Sequence, residues 1–233
     1  MRRTPLEENA EYIPIDPRTY APEPPAITIK EPHTVNIDFG VWRPQASTKV
    51  GPAAAGKEGD FWNTVAVAWN DDHTASGLKS AKGEWSPVQV RMVNWGGGWG
   101  LNLALGVKDP RLDNYNYPAN NKGGNSQVIL KNIPKGNYEL YLYGHGTDTL
   151  YYGDYTVTVG DHSYGRKATS SGMDAMENTK WVDGSQYVKF RNIKVLSGEE
   201  IDILIQPGAE VSDNGSRTFA DAMIAGLQLV PER

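Results

Sequence analysis

The run Asn94-Trp95-Gly96-Gly97-Gly98-Trp99-Gly100 sets two indoles among four glycines, which remove the neighbours that would otherwise bury a ring. The run reads as a flexible glycine loop, and an indole presented on it can stack on the apolar face of a sugar while nearby amides bond its hydroxyls. Trp95 and Trp99 are therefore candidate ligand-binding residues, with Asn94 as an orienting polar group and Trp85 close by in sequence. The competing reading makes the same indoles a cap on the end of a β-layer. A second cluster is Tyr141-Leu142-Tyr143-Gly144-His145-Gly146-Thr147-Asp148, followed by Tyr151, Tyr152 and Asp154. In a strand, alternation puts Tyr138, Leu140 and Leu142 on one face and Glu139, Tyr141 and Tyr143 on the other. If neighbouring strands add Gln89, Arg91, Lys189 and Arg191 to the tyrosine face, the result is a polar-aromatic surface able to hold an extended glycan. Tyr141, Tyr143, His145, Asp148 and Arg91 complete the candidate binding set, and Tyr115, Tyr117, Tyr151 and Tyr152 could join it. The alternative packs Tyr141 and Tyr143 beneath a loop running from Lys108 to Ser126.

Catalysis has weaker support. His145 and Asp148 could pair as a general base and its orienting carboxylate, but three residues of separation on a loop describes many surface histidines. Gly-x-Ser-x-Gly, His-Glu-x-x-His and phosphate-loop patterns are absent. The Gly96-Gly97-Gly98 run has no following helix to cradle a phosphate. Asp60, Glu84, Asp148 and Asp154 could supply the paired carboxylates of glycoside hydrolysis, although spacing alone does not bring them together. No catalytic residue is assigned, and no cofactor is required.

The elements that must position these groups are short alternating runs bounded by Gly, Pro, Asn and Asp. They are Thr34–Phe39, Pro87–Asn94, Gln127–Leu130, Tyr138–Tyr143, Tyr155–Val159, Gln186–Phe190, Ile201–Ile205 and Met223–Val230. Pro134-Lys135-Gly136, Gly160-Asp161 and Ser197-Gly198 suit tight connections between antiparallel neighbours. Asn214-Gly215-Ser216 fits a glycosylation acceptor, but Asn-Gly is first of all a hairpin turn. No helical period lasts ten residues; short turns are expected near Ala53–Glu58 and Met173–Glu177. Eight or more strands predict two packed antiparallel sheets, an all-β, jelly-roll-like β-sandwich, because one open sheet of that size would leave a face and two edges bare. Trp62 and Trp42 are expected in or near its core.

The 233 residues carry 23 Lys+Arg against 28 Asp+Glu, a formal net charge of −5, so the basic stripe of a nucleic-acid-binding protein is not expected. No apolar run is long enough to insert in a membrane. With no cysteine, the chain can have no disulfide framework, thiol nucleophile or Cys-ligated metal. Residues 1–30 hold six prolines and lack the apolar segment of a signal peptide. They read as a Pro-rich linker or N-terminal arm feeding a domain over 31–233, with adjacent domains of a longer parent chain as the expected setting.

Several phrases stand in a familiar order. Val35-Asn36-Ile37-Asp38-Phe39-Gly40 is followed by Gly51-Pro52-Ala53-Ala54-Ala55-Gly56 and Gly59-Asp60-Phe61-Trp62-Asn63. Then come Asn132-Ile133-Pro134-Lys135-Gly136-Asn137-Tyr138 and, at the end, Ala225-Gly226-Leu227-Gln228-Leu229-Val230. From Thr34 to Val230 the chain resembles the galactose-binding-domain-like β-sandwich modules of bacterial extracytoplasmic multi-domain proteins. The resemblance implies a non-catalytic carbohydrate-binding or adhesion module whose partner is a poly- or oligosaccharide, in an extracytoplasmic location. It also implies that a structural calcium could sit among turn carboxylates such as Asp38, Asp60, Asp71, Asp72, Asp213 and Asp221. Ala225 stands where related modules frequently carry Asn, which removes a polar group from that position. A polysaccharide lyase or glycoside hydrolase using His145 and Tyr143, and a structural or protein-interaction module, remain the alternatives. The binding reading expects the rings of Trp95, Trp99, Tyr141 and Tyr143 to stay in contact with water.

Overall fold

The computed structural model describes residues 29–40, 50–66, 72–100, 114–118, 124–144, 152–170, 181–207, 211–213, 216–218 and 222–232. In chain order its strands are β1 (Val35–Gly40), β2 (Asn63–Ala66), β3 (His73–Ala75), β4 (Gln89–Val93), β5 (Trp95–Gly100), β6 (Asn114–Pro118), β7 (Ser126–Lys131), β8 (Gly136–Tyr143), β9 (Asp154–Val159), β10 (His162–Ala168), β11 (Tyr187–Val195), β12 (Ile201–Gln206), β13 (Val211–Asp213), β14 (Ser216–Thr218) and β15 (Gly226–Pro231). Two sheets dominate. One has five strands in the order β11-β8-β15-β1-β2, the other six in the order β10-β9-β12-β7-β4-β3. All pairings in the two sheets are antiparallel except the parallel pair β1 and β2.

Alternation explains the layering. Ile201, Ile203 and Ile205 of β12 point inward with Val128 and Leu130 of β7 and Val90 and Met92 of β4; the opposing layer is Ile37 and Phe39 of β1, Leu140 and Leu142 of β8, and Leu227 and Leu229 of β15. All of these side chains are fully buried in one shared cluster, so the chain is an all-β sandwich with its core between the sheets. One open edge is closed by side chains rather than by a further strand. Tyr164 of β10 accepts a hydrogen bond from the Lys194 amide of β11 at 2.8 Å, and Lys167 Nζ donates to the Lys189 carbonyl of the same strand. These bonds occupy backbone groups that would otherwise invite another chain.

Two expectations fail here for one reason. The Trp95–Gly100 run is no isolated glycine loop but strand β5, and the Lys108–Ser126 stretch contains strand β6, which pairs with β5 from Trp95↔Pro118 to Gly100↔Asn114. Glycine weakens a strand locally, but a partner distant in sequence supplies the ladder. The Asn214-Gly215 signal holds as a hairpin, since Asp213 pairs with Ser216 across it. Near Ala53–Glu58 the chain bends at 53–55 and turns at 58–59, where Asp60 N–H donates to the Lys57 carbonyl at 3.2 Å. Met173–Glu177, Trp42 and nearly all of the Pro-rich opening lie outside the described residues.

Candidate ligand-binding face

The strand register assembles the outer face of the five-stranded sheet. Tyr143 of β8 lies between Tyr187 of β11 and Gly226 of β15, and Tyr141 lies between Lys189 and Gln228. Asn36 and Asp38 of β1 extend these rows beside Gln228 and Gly226. A period of two forces this: Tyr138, Leu140 and Leu142 enter the core while Tyr141 and Tyr143 join a second cluster with Trp62, Tyr115, Met223 and Ala225. The expected division of β8 into an aliphatic and a tyrosine face is therefore what the structure shows.

The rings form a connected array. Tyr187 lies 5.7 Å from Tyr141 and 5.8 Å from Tyr143, centroid to centroid. Trp181 meets Tyr143 edge-on at 5.2 Å, and Trp62 meets it edge-on at 6.3 Å. These are favourable aromatic geometries. Gly226 lets β15 lie close against β1, because a Cβ there would stand 2.8 Å from the Ile37 carbonyl, while 3.8 Å from the Trp62 indole would be an ordinary contact. The turn before β11 presents Trp181: the Val182 amide donates to Gln186 Oε1 at 3.0 Å, and the Lys189 amide donates to Asp183 Oδ1 at 3.1 Å.

Part of this face is sealed. The 51–60 loop folds across it, with Ala54 N–H donating to the Tyr143 hydroxyl at 3.0 Å and Trp62 Nε1 donating to the Gly51 carbonyl at 2.9 Å. Tyr143 in turn donates to Gln228 Oε1, whose amide nitrogen donates to Asn36 Oδ1 at 2.9 Å and to the Ala55 carbonyl at 3.2 Å. Beside it, Tyr141 donates to Glu139 Oε2 at 2.8 Å while Lys189 Nζ pairs with Glu139 Oε1 and sits 4.9 Å over the Tyr141 ring. Burial alone would raise the Glu139 carboxyl, but the bonds from Lys189 and Tyr141 hold it below its ordinary value. Burial pushes the Tyr141 phenol up, in the direction that keeps it protonated.

The expected wet rings must be corrected. Tyr143 is 1 % exposed, Tyr141 6 % and Trp95 0 %. Tyr143 and Tyr141 are covered by the 51–60 loop, Trp181, Tyr187 and Lys189. Trp95 turns into the main core behind Asn94, and its Nε1 donates to the Gln127 carbonyl at 3.2 Å. Asn94 takes a left-handed conformation (φ 59°) at the β4–β5 junction; its N–H donates to Asp72 Oδ1 at 3.2 Å, and its carbonyl accepts from Ser126 Oγ at 2.9 Å. Arg91 and Gln89 belong to β4, so they sit on the outer face of the six-stranded sheet, and Arg91 meets Asp72 at 3.5 Å. The backbone of Trp99 lies in β5, but its side chain, like all of His145, Asp148 and Tyr151, falls outside the described residues.

Of the candidate set, then, the structure unites Tyr141 and Tyr143 with Lys189, as expected, and separates Arg91 from them. Trp181 and Tyr187, both half-exposed at the rim of the array, were not anticipated. A signal existed: Tyr187-Val188-Lys189-Phe190 repeats the alternation of Glu139–Leu142, and Asp183-Gly184 marks the turn that sets it beside β8.

The base of the 144–153 connection is fixed from below. Tyr155, fully buried, places its hydroxyl 3.0 Å from the carbonyls of both Tyr143 and Met223, sharing one proton between them. A Cβ on Gly144 or Gly153 would fall 2.0 or 1.9 Å from that hydroxyl, so only glycine fits at either position. Thr169 ties the same two residues, accepting from Gly153 N–H at 2.9 Å and donating to the Gly144 carbonyl. Burial, reinforced by Asp154, holds the Tyr155 phenol far above its usual range, so it remains a donor.

Calcium would need several oxygen ligands converging on one point. Among the described residues no three Asp, Glu or His side chains do so. Asp60 instead accepts from Lys57 N–H at 2.9 Å, and Asp71 and Asp221 lie outside the described residues. Among the described residues, no helix is long and apolar enough to cross a membrane.

No protein-family model and no curated protein matches the chain. Among solved structures, it is similar to the CBM36-1 domain of a multidomain xylanase from the hindgut metagenome of Trinervitermes trinervoides. The identity is 17 % and the TM-score 0.33, over 63 % of this chain and 98 % of that one. It is also similar to TmCBM61, solved in complex with beta-1,4-galactotriose, at 16 % identity and a TM-score of 0.32, over 63 % of this chain and 90 % of that one.

Proposed function

We propose that the chain is a non-catalytic carbohydrate-binding module that holds glycan at the rim of the five-stranded sheet's outer face, in an extracytoplasmic setting where polysaccharides are met. The observation that carries this reading is the array of Tyr141, Tyr143, Tyr187 and Trp181, which lies on a sheet face separate from the core and keeps its last two rings half-exposed. A core needs no second aromatic layer, whereas a sugar-binding surface needs a flat ring with firm backing. Trp181 and Tyr187 supply the rings, and the sealed tyrosines hold them in place. Lys189 and Glu139 stand alongside as polar groups for hydroxyls. Shallow polar sites of this kind gain little after desolvation, so weak affinity is expected.

The hydrogen bonds of Tyr143 also count against its use as a base in a lyase or hydrolase. Its hydroxyl is enclosed by Gln228 and the Ala54 amide, under a loop that leaves no room for a substrate atom. The test is affinity electrophoresis through gels containing soluble polysaccharides, comparing the native chain with a Trp181→Ala/Tyr187→Ala double variant. Retardation by at least one polymer, lost in the double variant while its thermal unfolding stays cooperative, supports the proposal. Retardation unchanged in the double variant overturns it.

A further inference from the structure

The binding face continues from its aromatic rim into a row of cations along β11. Lys189 stands opposite Tyr141, and Lys194 opposite Asn137. Between them the register shifts at a bulge after Phe190, where Asn192 takes φ 56°, so Arg191 and Asn192 together stand against the single residue Glu139. Arg191 and Lys194 are both exposed, while Phe190 and Ile193 on either side of the bulge enter the core. From Tyr187 to Lys194 the strand spans roughly 20 Å, six steps of the paired strand at the usual rise, because the bulge absorbs one residue. That length suits an extended oligosaccharide rather than a single sugar.

Of the three cations only Lys189 forms an ion pair among the described residues, although Arg191 also helps to lower the Glu139 carboxyl. Glu139 spends one oxygen on Lys189 and the other on the Tyr141 hydroxyl. Glu232 accepts from the Asn192 amide at 2.6 Å. Among the described residues no ion pair involves Arg191 or Lys194. On a chain of net charge −5, two exposed cations that form no ion pair among the described residues, in line with an aromatic rim, form a local departure from the overall sign. A guanidinium fork is also the side chain best shaped to take a carboxylate or sulfate.

We infer that this face selects anionic glycans, with rings at Trp181 and Tyr187 carrying the sugar and Arg191 and Lys194 taking its carboxylate or sulfate groups. The inference rests on the carbohydrate-binding reading above and names the ligand class for the same face.

Three polymers separate the possibilities in affinity electrophoresis: polygalacturonate, its fully methyl-esterified form and dextran sulfate. The native chain is expected to be held more strongly by polygalacturonate than by the ester. Arg191→Ala/Lys194→Ala should lower the association constant for polygalacturonate roughly fivefold, the effect of two exposed ionic contacts, and leave the ester unaffected. The selectivity should also fade with added salt. Stronger retention by polygalacturonate assigns the carboxylate and by dextran sulfate the sulfate; both must depend on the two cations. Equal binding of acid and ester by the native chain overturns the anionic preference and leaves the glycan site standing. So does an equal loss in Lys131→Ala, a cation on the opposite sheet, because diffuse attraction would then explain the result. Retention by none of the three polymers overturns the anionic preference, and the glycan site is then decided by the wider polysaccharide screen with Trp181→Ala/Tyr187→Ala.

Discussion

The two outer faces of the sandwich are built by the same alternation and put to opposite uses. On the five-stranded sheet, outward residues of β8, β15 and β1 include Tyr141, Tyr143, Gln228 and Asn36, and the 51–60 loop closes over them until they are as buried as the core. On the six-stranded sheet, the outward residues are Thr156 and Thr158 of β9, Leu204 and Asp202 of β12, Gln127 and Ile129 of β7, and Arg91 and Val93 of β4, and every one stays half-exposed. Its polar groups answer one another along and across the strands, as where Thr156 donates to Gln206 at 3.0 Å and Lys131 pairs with Glu200 at 3.0 Å. A β-face is therefore sealed or left as plain surface according to what folds over it.

Substitutions on the two faces should differ accordingly. Tyr143→Ala removes a ring packed against Trp62, Trp181 and Tyr187 and frees the 51–60 loop; it should cost about 4 kcal/mol in urea unfolding. A cost under about 1 kcal/mol would mean that the loop does not seal this face. Gln228→Leu keeps the volume but strands Asn36, the Tyr143 hydroxyl and the backbone of Ala55, with an expected loss of about 2 kcal/mol. A near-neutral result would show that water replaces the network and that the cover opens readily.

His33 ties the two sheets together and so tests what they share. It precedes β1 of one sheet and contacts Ser86, just before β4 of the other. Nδ1 lies 2.8 Å from the Glu31 carbonyl, which can only accept, so Nδ1 carries the proton and Nε2 accepts from the Ser86 hydroxyl at 2.7 Å. A second proton would force Nε2 to donate to an oxygen that already accepts from Val88 N–H at 3.1 Å. Burial lowers the His33 pKa, against the opposing pull of the Glu31 carbonyl and the Glu84 charge. The unfolded chain therefore binds this proton more readily. The stabilisation is complete above the unfolded value of about 6.5 and is lost as pH falls through it toward the lowered folded value. Urea midpoints should fall more steeply from about pH 7.5 to about pH 5.5 in the native chain than in His33→Gln, which lacks that ionisation. Parallel slopes would remove His33 from the account. The smallest effect belongs to the open face, where Leu204→Thr should shift stability by no more than about 0.5 kcal/mol. A loss near that of Tyr143→Ala would erase the contrast between the faces.

The layering was legible wherever the pattern was local. Ile201, Ile203 and Ile205, and the split of β8 between Leu140 and Tyr141, follow from period two alone. What could not be read locally was coverage. The 51–60 segment carries three alanines and no obvious target, yet it crosses to β8 and β15, 89 and 173 residues away in sequence. The Trp95 strand is not legible because glycine usually breaks a ladder and its partner β6 lies within a stretch rich in Asn, Tyr and Pro. Arg91 and Tyr141 both point outward, and a period of two cannot say from which of two sheets. Nothing in the immediate sequence of Trp181 shows that Tyr143 stands beneath it.

The clamp made by Tyr155 has a practical consequence. Gly144 and Gly153 are held side by side by one hydroxyl and one threonine, and Tyr152 is bridged to Ala222, so the scaffold itself brings together the two points between which residues 145–151 run. Loop closure grows only slowly more costly with length. Foreign sequences of varied size could therefore be exchanged between Gly144 and Tyr152, giving a library of recognition loops on a frame that does not have to be redesigned for each.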